Sequence, residues 1–171
     1  MSQPTLYLFI GYPGAGKTTL ARMIHEATGA VHLWADHERQ KQFGQPTHSE
    51  TESNELYRRL NDQTMQLLKS GQSVIFDTNF NFRKDRQYLR DIAERAGAQS
   101  ITIWVTTSRE LARQRAVHDD NLRNGYHAVM SGEQFDAIAN KLQPPEYDEK
   151  IINIDGTQLD KTTALQQLGI V

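Results

Sequence analysis

The sequence predicts an α/β fold, a three-layer sandwich in which helices cover both faces of a five-stranded parallel sheet. Two observations carry this prediction. Short apolar runs of strand type alternate with segments whose apolar residues recur at helical spacing, as in parallel sheets with crossover helices. In addition, a glycine-rich loop directly joins the first strand to the first helix. With 171 residues, the chain is predicted to form a single domain over residues 1–171.

The predicted strands are continuous apolar runs, as expected of strands that are buried on both faces. They are Leu6–Ile10, Val31–Ala35, Ser73–Asp77, Ser100–Val105 and Lys150–Ile154. Trp34 and Trp104 fall inside these runs, so we expect both rings to lie in the core rather than against a ligand.

Helices are predicted between the strands from apolar periodicity, and glycine or proline ends the later ones. They are Thr19–His25, Asn54–Ser70, Lys84–Ala96, a segment opened by a capping box at Thr107–Glu110, and Ser131–Leu142. The polar segment Gln42–Ser53 contains Gly44 and Pro46, and we predict a loop there, near the edge of the sheet where ligands bind.

The glycine-rich loop fits Gly-x4-Gly-Lys-[Ser/Thr], the P-loop pattern. Without Cβ atoms its glycines let the backbone turn tightly and point N–H groups at one anion, at the positive end of the next helix. Lys17 is expected to reach the β- and γ-phosphates and Thr18 to bind Mg²⁺. The residues expected to bind ATP are Gly11, Pro13, Gly14, Ala15, Gly16, Lys17, Thr18 and Thr19.

Carboxylates follow two predicted strands, at the edge where parallel α/β sheets bind ligands. Asp77 ends the run Val74-Ile75-Phe76, a pattern that suits a Mg²⁺ ligand; the alternative is a helix cap or an Asx turn. Asp36 suits a general base for an acceptor hydroxyl, or else a cap of the next helix. Arg39 lies one turn further on and is predicted to neighbour Asp36 and to hold a substrate phosphate, or to form a surface ion pair.

A basic segment follows the fourth predicted strand and contains Arg109, Arg113, Arg115 and Arg123. Phosphoryl transfer needs positive charge around the moving group, so we predict a lid within residues 108–130 that folds over ATP. The alternative is a solvated helix face whose charges are balanced by neighbouring acids.

Composition restricts the function further. The formal charge is −2, so no global basic field attracts nucleic acid, although a local patch is compatible with this value. The chain has no cysteine, and its six histidines form no zinc-binding spacing. It also has no signal-peptide pattern and no apolar run long enough to span a membrane, so we expect a cytoplasmic protein without membrane partners.

The sequence resembles the P-loop kinases that include phage-type polynucleotide 5′-hydroxyl kinase, zeta toxins and small bacterial AAA-like ATP-binding proteins. Three segments carry the likeness: the P-loop, Asp36-His37-Glu38-Arg39 as an Asp-x-x-Arg element, and Val74–Asn81 with Arg86 after it. The likeness extends over about residues 5–125.

This resemblance implies a kinase-type P-loop NTPase fold and an ATP- and Mg²⁺-dependent transfer of the γ-phosphoryl group to a hydroxyl. It implies that Asp36 is the general base, that Arg39 contacts the acceptor, and that a lid arginine serves catalysis. For the lid arginine we choose Arg115 or Arg113, followed by Arg123, which is expected to contact the nucleotide.

The acceptor is left open between a nucleic-acid 5′-hydroxyl and a small molecule. Two alternatives also remain: a non-catalytic nucleotide switch or ATPase module, and a toxin-type small-molecule kinase. The carboxylates at positions 36 and 77 favour a kinase, because a pure switch needs no base on the acceptor side.

Overall fold

A computed structural model describes residues 3–117 and 130–171 of the chain. Its strands are β1 (Thr5–Ile10), β2 (Val31–Trp34), β3 (Val74–Asp77), β4 (Gln99–Thr106) and β5 (Ile151–Asp155). All pair in parallel in one sheet, in the order β2-β3-β1-β4-β5. The predicted five-stranded parallel sheet is therefore confirmed.

The helices of the described residues are α1 (Lys17–Thr28), α2 (Ala35–Phe43), α3 (Glu50–Lys69), α4 (Arg83–Arg95), α5 (Arg109–Val117), α6 (Gly132–Ala139) and α7 (Lys161–Gln167). The prediction of a loop over Gln42–Ser53 is wrong at both ends, because α2 continues to Phe43 and α3 begins at Glu50. There the Ser49 hydroxyl caps the helix by accepting a hydrogen bond of 3.2 Å from the Glu52 N–H.

The predicted capping box at Thr107–Glu110 does not form, because the cap is Ser108 and the residue three positions on is Leu111, which cannot return a hydrogen bond. Ser108 Oγ accepts the 3.2 Å hydrogen bond from the Leu111 N–H at the start of α5. The Thr107 hydroxyl instead donates to the carbonyl of Ala15, at 2.9 Å. Thr107 therefore ties the end of β4 to the glycine-rich loop.

Two apolar layers lie on opposite faces of the sheet, because successive strand residues point to opposite sides. Leu6 and Leu8 of β1 pack with α3 and α4, whereas Tyr7 and Phe9 pack with α1 and α7. Each fully buried side chain of this size contributes about 1.5–3 kcal/mol. A separate small cluster around Phe135 joins α5 to α6.

The strand order brings the ends of β1, β2 and β3 to one place. β1 lies between β3 and β4, and the chain leaves it to reach β2 beyond β3. Trp34 of β2 is in register with Asp77 of β3. Ligands of open parallel sheets bind where the chain changes direction in this way, beyond the carboxyl ends of the strands.

Arg86 of α4 forms a buried ion pair with Glu149, which is far from it in the sequence. Its guanidinium is fully buried and donates to both Glu149 carboxylate oxygens, at 2.8 and 2.7 Å. It also donates to the Phe80 carbonyl at 2.9 Å and to the Gln143 carbonyl at 3.1 Å. Arg86 therefore holds the loop after β3 against the segment before β5.

Glu149→Gln should destabilise the protein by about 3 kcal/mol at neutral pH, because it leaves the buried Arg86 charge uncompensated. Burial alone would raise the pKa of Glu149, but Arg86 and Arg90 outweigh it and lower that pKa to about 2. The unfolded state therefore binds the proton more readily, and the stabilisation is lost as pH falls from about 4.5 towards 2.

Denaturant unfolding at pH 7 and pH 3 measures this effect. Glu146→Gln is the matched control, since it removes an exposed ion pair of 2.7 Å with Arg83 and should change stability by about 1 kcal/mol or less. A Glu149→Gln variant as stable as this control at pH 7 would refute the role of the buried pair.

Candidate functional site

The glycine-rich loop has a backbone that favours glycine. Gly14 has φ of 81° and Gly16, the residue before α1, has φ of 112°, both in the left-handed region. A Cβ on Gly14 would also collide with the carbonyl of Ala112, because α5 lies directly against the loop. Lys17 Nζ donates to the carbonyls of Gly11 and Tyr12, at 2.9 and 2.8 Å. The loop and its lysine thus form one hydrogen-bonded unit.

A cleft of about 880 Å³ opens beyond the carboxyl ends of the strands. On one side it is lined by the glycine-rich loop and by the segment after β5, on the other by α2, α3 and the loop after β3. The predicted site residues that line it are Pro13, Gly14, Gly16, Lys17, Thr18, Thr19, Asp36, Arg39, Asp77 and Arg115. Of the other predicted residues, Gly11 and Ala15 are buried in the loop itself, and Arg123 lies outside the described residues.

Asp77 is the last residue of β3 and is almost fully buried at the floor of the cleft. It does not cap a helix, since the residue preceding α4 is Phe82. His32 Nε2 of the neighbouring strand lies 3.0 Å from Asp77 Oδ2. No pattern in the sequence indicated this contact, because only the pairing of β2 with β3 brings residues 32 and 77 together. The histidine fixes the orientation of the carboxylate.

Asp36 lies in the first turn of α2, with its side chain exposed in the cleft. The residue preceding α2 is Trp34, so Asp36 is not the helix cap either. A carboxylate in the first turn is favoured by the helix dipole. Asp36 is exposed and lines the cleft, and α2 holds its backbone in place.

Arg39 does not form the predicted pair with Asp36. Its Nη1 donates to Glu52 Oε1 at 2.6 Å and its Nη2 to Ser53 Oγ at 3.2 Å, and the side chain is 8% exposed. Burial alone would raise the pKa of Glu52, but hydrogen bonds from Thr47, Arg39 and His48 outweigh it and lower that pKa to about 2. Arg39 and Glu52 belong to different helices, so no local pattern in the sequence indicated their contact.

Tyr57 of α3 is a site residue that the sequence prediction missed. Its hydroxyl lies 2.7 Å from Thr78 Oγ1, and its ring stacks on Phe76 with a centroid distance of 6.5 Å. Burial raises the pKa of the Tyr57 hydroxyl, and the nearby Asp36 carboxylate acts in the same direction. The apolar periodicity of α3 predicted that Tyr57 lies on the buried face of this helix. That position explains why the ring is packed, but it did not indicate the contact of the hydroxyl with Thr78.

The two tryptophans are partly exposed rather than core residues. Trp34 ends the edge strand β2 and lines the cleft. Its ring stacks with those of His32 and His37, at centroid distances of 6.0 and 5.7 Å. The guanidinium carbon of Arg22 lies 5.4 Å from its centroid. The expectation that Trp34 belongs to the core is therefore wrong.

The described arginines of the basic segment lie in two different places, one at the cleft and the others against α6. Arg115 lines the cleft and donates to the carbonyls of Gly156 and Thr157, at 2.8 and 2.7 Å. Arg113 instead pairs with Asp136 of α6, at 3.5 Å, as does Arg109 at 3.1 Å. Of the two arginines chosen from the sequence, the structure brings only Arg115 to the cleft.

Arg115→Ala should weaken nucleotide binding by about tenfold, because charged hydrogen bonds of this type contribute about 1.5–3 kcal/mol and hold the segment after β5 beside the glycine-rich loop. Arg113→Ala is the matched control and should change affinity by less than about threefold, since its ion pair is exposed. Titration with a fluorescent ATP analogue compares the two. A larger effect at Arg113 would show that the cleft arginine has been misassigned.

The glycine-rich loop, the parallel sheet and the acidic strand ends together define a P-loop NTPase. The chain belongs to the AAA domain family, whose profile matches residues 6–145. Among curated proteins, none matches this sequence.

Solved structures of similar fold include proteins described as kinases. A candidate kinase from Chloroflexus aurantiacus superposes with a TM-score of 0.76 at 20% identity, covering 98% of each chain. A sugar kinase from Janibacter sp. gives 0.72 at 20% identity, covering 99% of this chain and 96% of its own. The Pnkp1/Rnl/Hen1 RNA repair complex gives 0.69 at 20% identity, covering 83% of this chain and 45% of its own. At such identities the likeness shows the fold alone, which is the kinase-type P-loop fold predicted from the sequence.

Within the described ranges, 3–117 and 130–171, no helix is long and apolar enough to cross a membrane. The same ranges contain no cluster of three or more histidine, cysteine or acidic side chains suited to a metal.

Proposed function

We propose that the protein is a kinase that transfers the γ-phosphoryl group of ATP to a hydroxyl of an acceptor, with Asp36 as general base. One observation supports this most directly. The exposed Asp36 carboxylate lines the same cleft as Lys17 and Thr18 of the glycine-rich loop. A nucleotide switch has no need of a carboxylate on the far side of its phosphate site.

Magnesium fits the oxygen donors of this cleft. Mg²⁺ in nucleotide sites takes one or two protein oxygens and completes its shell with phosphate oxygens and water, so a cluster of three acids is unnecessary. The Thr18 hydroxyl and the Asp77 carboxylate both line the cleft and would hold the ion. When bound, it neutralises charge on the phosphate oxygens. His32 would keep Asp77 in the orientation required for this.

The side chains of the cleft divide the remaining work. Asp36 accepts the proton of the acceptor hydroxyl as its oxygen forms a bond to the γ-phosphorus, and the bond from that phosphorus to the β–γ bridging oxygen breaks. ADP is the leaving group. Lys17 and the N–H groups of the glycine-rich loop stabilise the charge that moves onto the leaving oxygens. Arg115 secures the nucleotide side of the cleft.

Two measurements on the same preparation test the proposal. ATP with Mg²⁺ should raise the melting temperature, because ligand that binds only the folded state stabilises it by about 2.7 kcal/mol at a hundred times Kd. AMP at the same concentration is the control and should give a smaller shift. ATP labelled in the γ-phosphate, incubated with the protein and a cell extract as the source of the acceptor, should then yield a labelled organic phosphate. An unchanged melting temperature at millimolar ATP would overturn nucleotide binding, and release of inorganic phosphate alone would favour the ATPase alternative.

A further inference from the structure

We infer that the acceptor is an uncharged small molecule rich in hydroxyl groups, of the sugar or polyol class, and not a polynucleotide or other anion. This inference rests on the phosphoryl transfer proposed above. It concerns the acceptor half of the cleft, which consists of Trp34, Asp36, Arg39, Gln40, His48, Tyr57, Thr78 and Asn79.

The positive charge of the acceptor half is already balanced within the protein. Among its described residues, Arg39 carries the permanent positive charge, and that guanidinium is buried against Glu52 at 2.6 Å and Ser53 at 3.2 Å. Glu52 is itself held by Thr47, whose N–H and hydroxyl donate to Oε2 at 2.7 and 2.9 Å. An arginine that is buried and paired in this way would have to break these bonds to bind a phosphate.

The cations on the opposite side of the cleft serve the nucleotide. Lys17 is bonded to the glycine-rich loop, and Arg115 is bonded to Gly156 and Thr157. Among the described residues of the acceptor half, Arg39 is therefore the permanent cation that an anionic acceptor would meet, and it would have to leave its ion pair with Glu52 to bind one.

The other polar groups of the acceptor half suit hydroxyls. Gln40 and Asn79 offer amides, and Tyr57 and Thr78 offer hydroxyls that are fixed to one another at 2.7 Å. Amide and hydroxyl groups both donate and accept, as sugar hydroxyls do, so they pair with such a ligand without any formal charge.

The aromatic rings of the acceptor half are packed against the protein. Trp34 stacks with His32 and His37 below the guanidinium of Arg22, and Tyr57 stacks on Phe76. Proteins that bind single-stranded nucleic acid combine a basic groove with aromatic faces that receive the bases. The described acceptor half offers neither a basic groove nor a ring standing apart from its neighbours.

A fractionated acceptor pool tests this directly. A low-molecular-mass cell extract is separated on an anion exchanger into flow-through and retained fractions, and each is incubated with the protein and γ-labelled ATP, beside a 5′-hydroxyl oligonucleotide. We expect label to enter the flow-through fraction, and Asp36→Asn to abolish it. Label in the retained fraction or in the oligonucleotide would overturn the inference while leaving the kinase proposal intact. Label in none of the three would overturn both.

Once the acceptor has been identified in this way, charged substitutions of Gln40 test the inference independently. For an uncharged acceptor, Gln40→Lys and Gln40→Glu should alter KM in the same direction and within about threefold of each other, since neither charge has a partner on the ligand. The KM should also change by less than about threefold between about 50 and 200 mM salt, whereas binding of a polynucleotide falls by about 10³-fold or more. Opposite effects of the two charges, or a steep salt dependence, would contradict an uncharged acceptor.

Discussion

Asp36→Asn should reduce phosphoryl transfer by about 10²–10⁴-fold while ATP affinity changes little. Asparagine has nearly the same shape as aspartate but cannot accept the proton of the acceptor hydroxyl. Loss of a charge from the first turn of α2 should cost at most about 1 kcal/mol of stability, because Asp36 is exposed and does not cap the helix. Single-turnover transfer and equilibrium ATP binding separate the two effects.

Glu38→Gln is the matched control for this variant. It removes a carboxylate from the same turn of α2, but Glu38 pairs with Arg59 at 2.9 Å and does not line the cleft. Its transfer rate should stay within about threefold of the wild type. Asp77→Asn should instead raise the Mg²⁺ concentration needed for activity. If Asp36→Asn transfers phosphate at the wild-type rate, another group takes the proton.

Lys17→Ala should lower turnover by about 10²–10³-fold, the effect expected when one donor to a developing charge is lost. Lys17 is 7% exposed and is the first residue of α1, at the end of the loop that would surround the phosphates. Steady-state kinetics at saturating ATP measures the effect on the chemical step, and titration with ATP measures any effect on binding.

Lys161→Ala serves as the control for charge. It removes a lysine of α7 whose exposed pair with Glu26, at 2.6 Å, lies outside the cleft. Both variants should unfold as cooperatively as the wild type. Lys17→Ala turnover equal to that of Lys161→Ala would refute a catalytic role for the glycine-rich loop, even if ATP still binds.

The fold could be predicted because its signals are local. Apolar runs show strands that are buried on both faces, and glycine at φ of 81° and 112° marks a loop that other residues cannot form easily. The short helix α7 was missed, and α2 was only assumed as the turn that joins Asp36 to Arg39, without bounds. α2 has no side-chain cap, and apolar periodicity is absent from its sequence, so neither of the usual signals was present.

The partners within the candidate site were harder to predict, since they depend on which distant segments meet. Asp36 and Asp77 follow strands and could be selected from the sequence. Arg39 was assigned to its neighbour on the same helix, but its partner Glu52 belongs to α3. The contact of His32 with Asp77 likewise depends on strand order, which the sequence does not encode in any short pattern.

The buried pair of Arg86 and Glu149 also has a consequence for synthesis on the ribosome. The two residues are separated by 63 positions, which at about 5–20 residues per second corresponds to roughly 3–13 seconds of translation. During that interval Arg86 cannot form its ion pair with Glu149, so burial of its charge is unfavourable and the loop after β3 is not yet held in place. We therefore expect a nascent chain to fix the loop after β3, on the acceptor side of the cleft, only once Glu149 is available. Such a chain would acquire activity only after residue 149 has emerged.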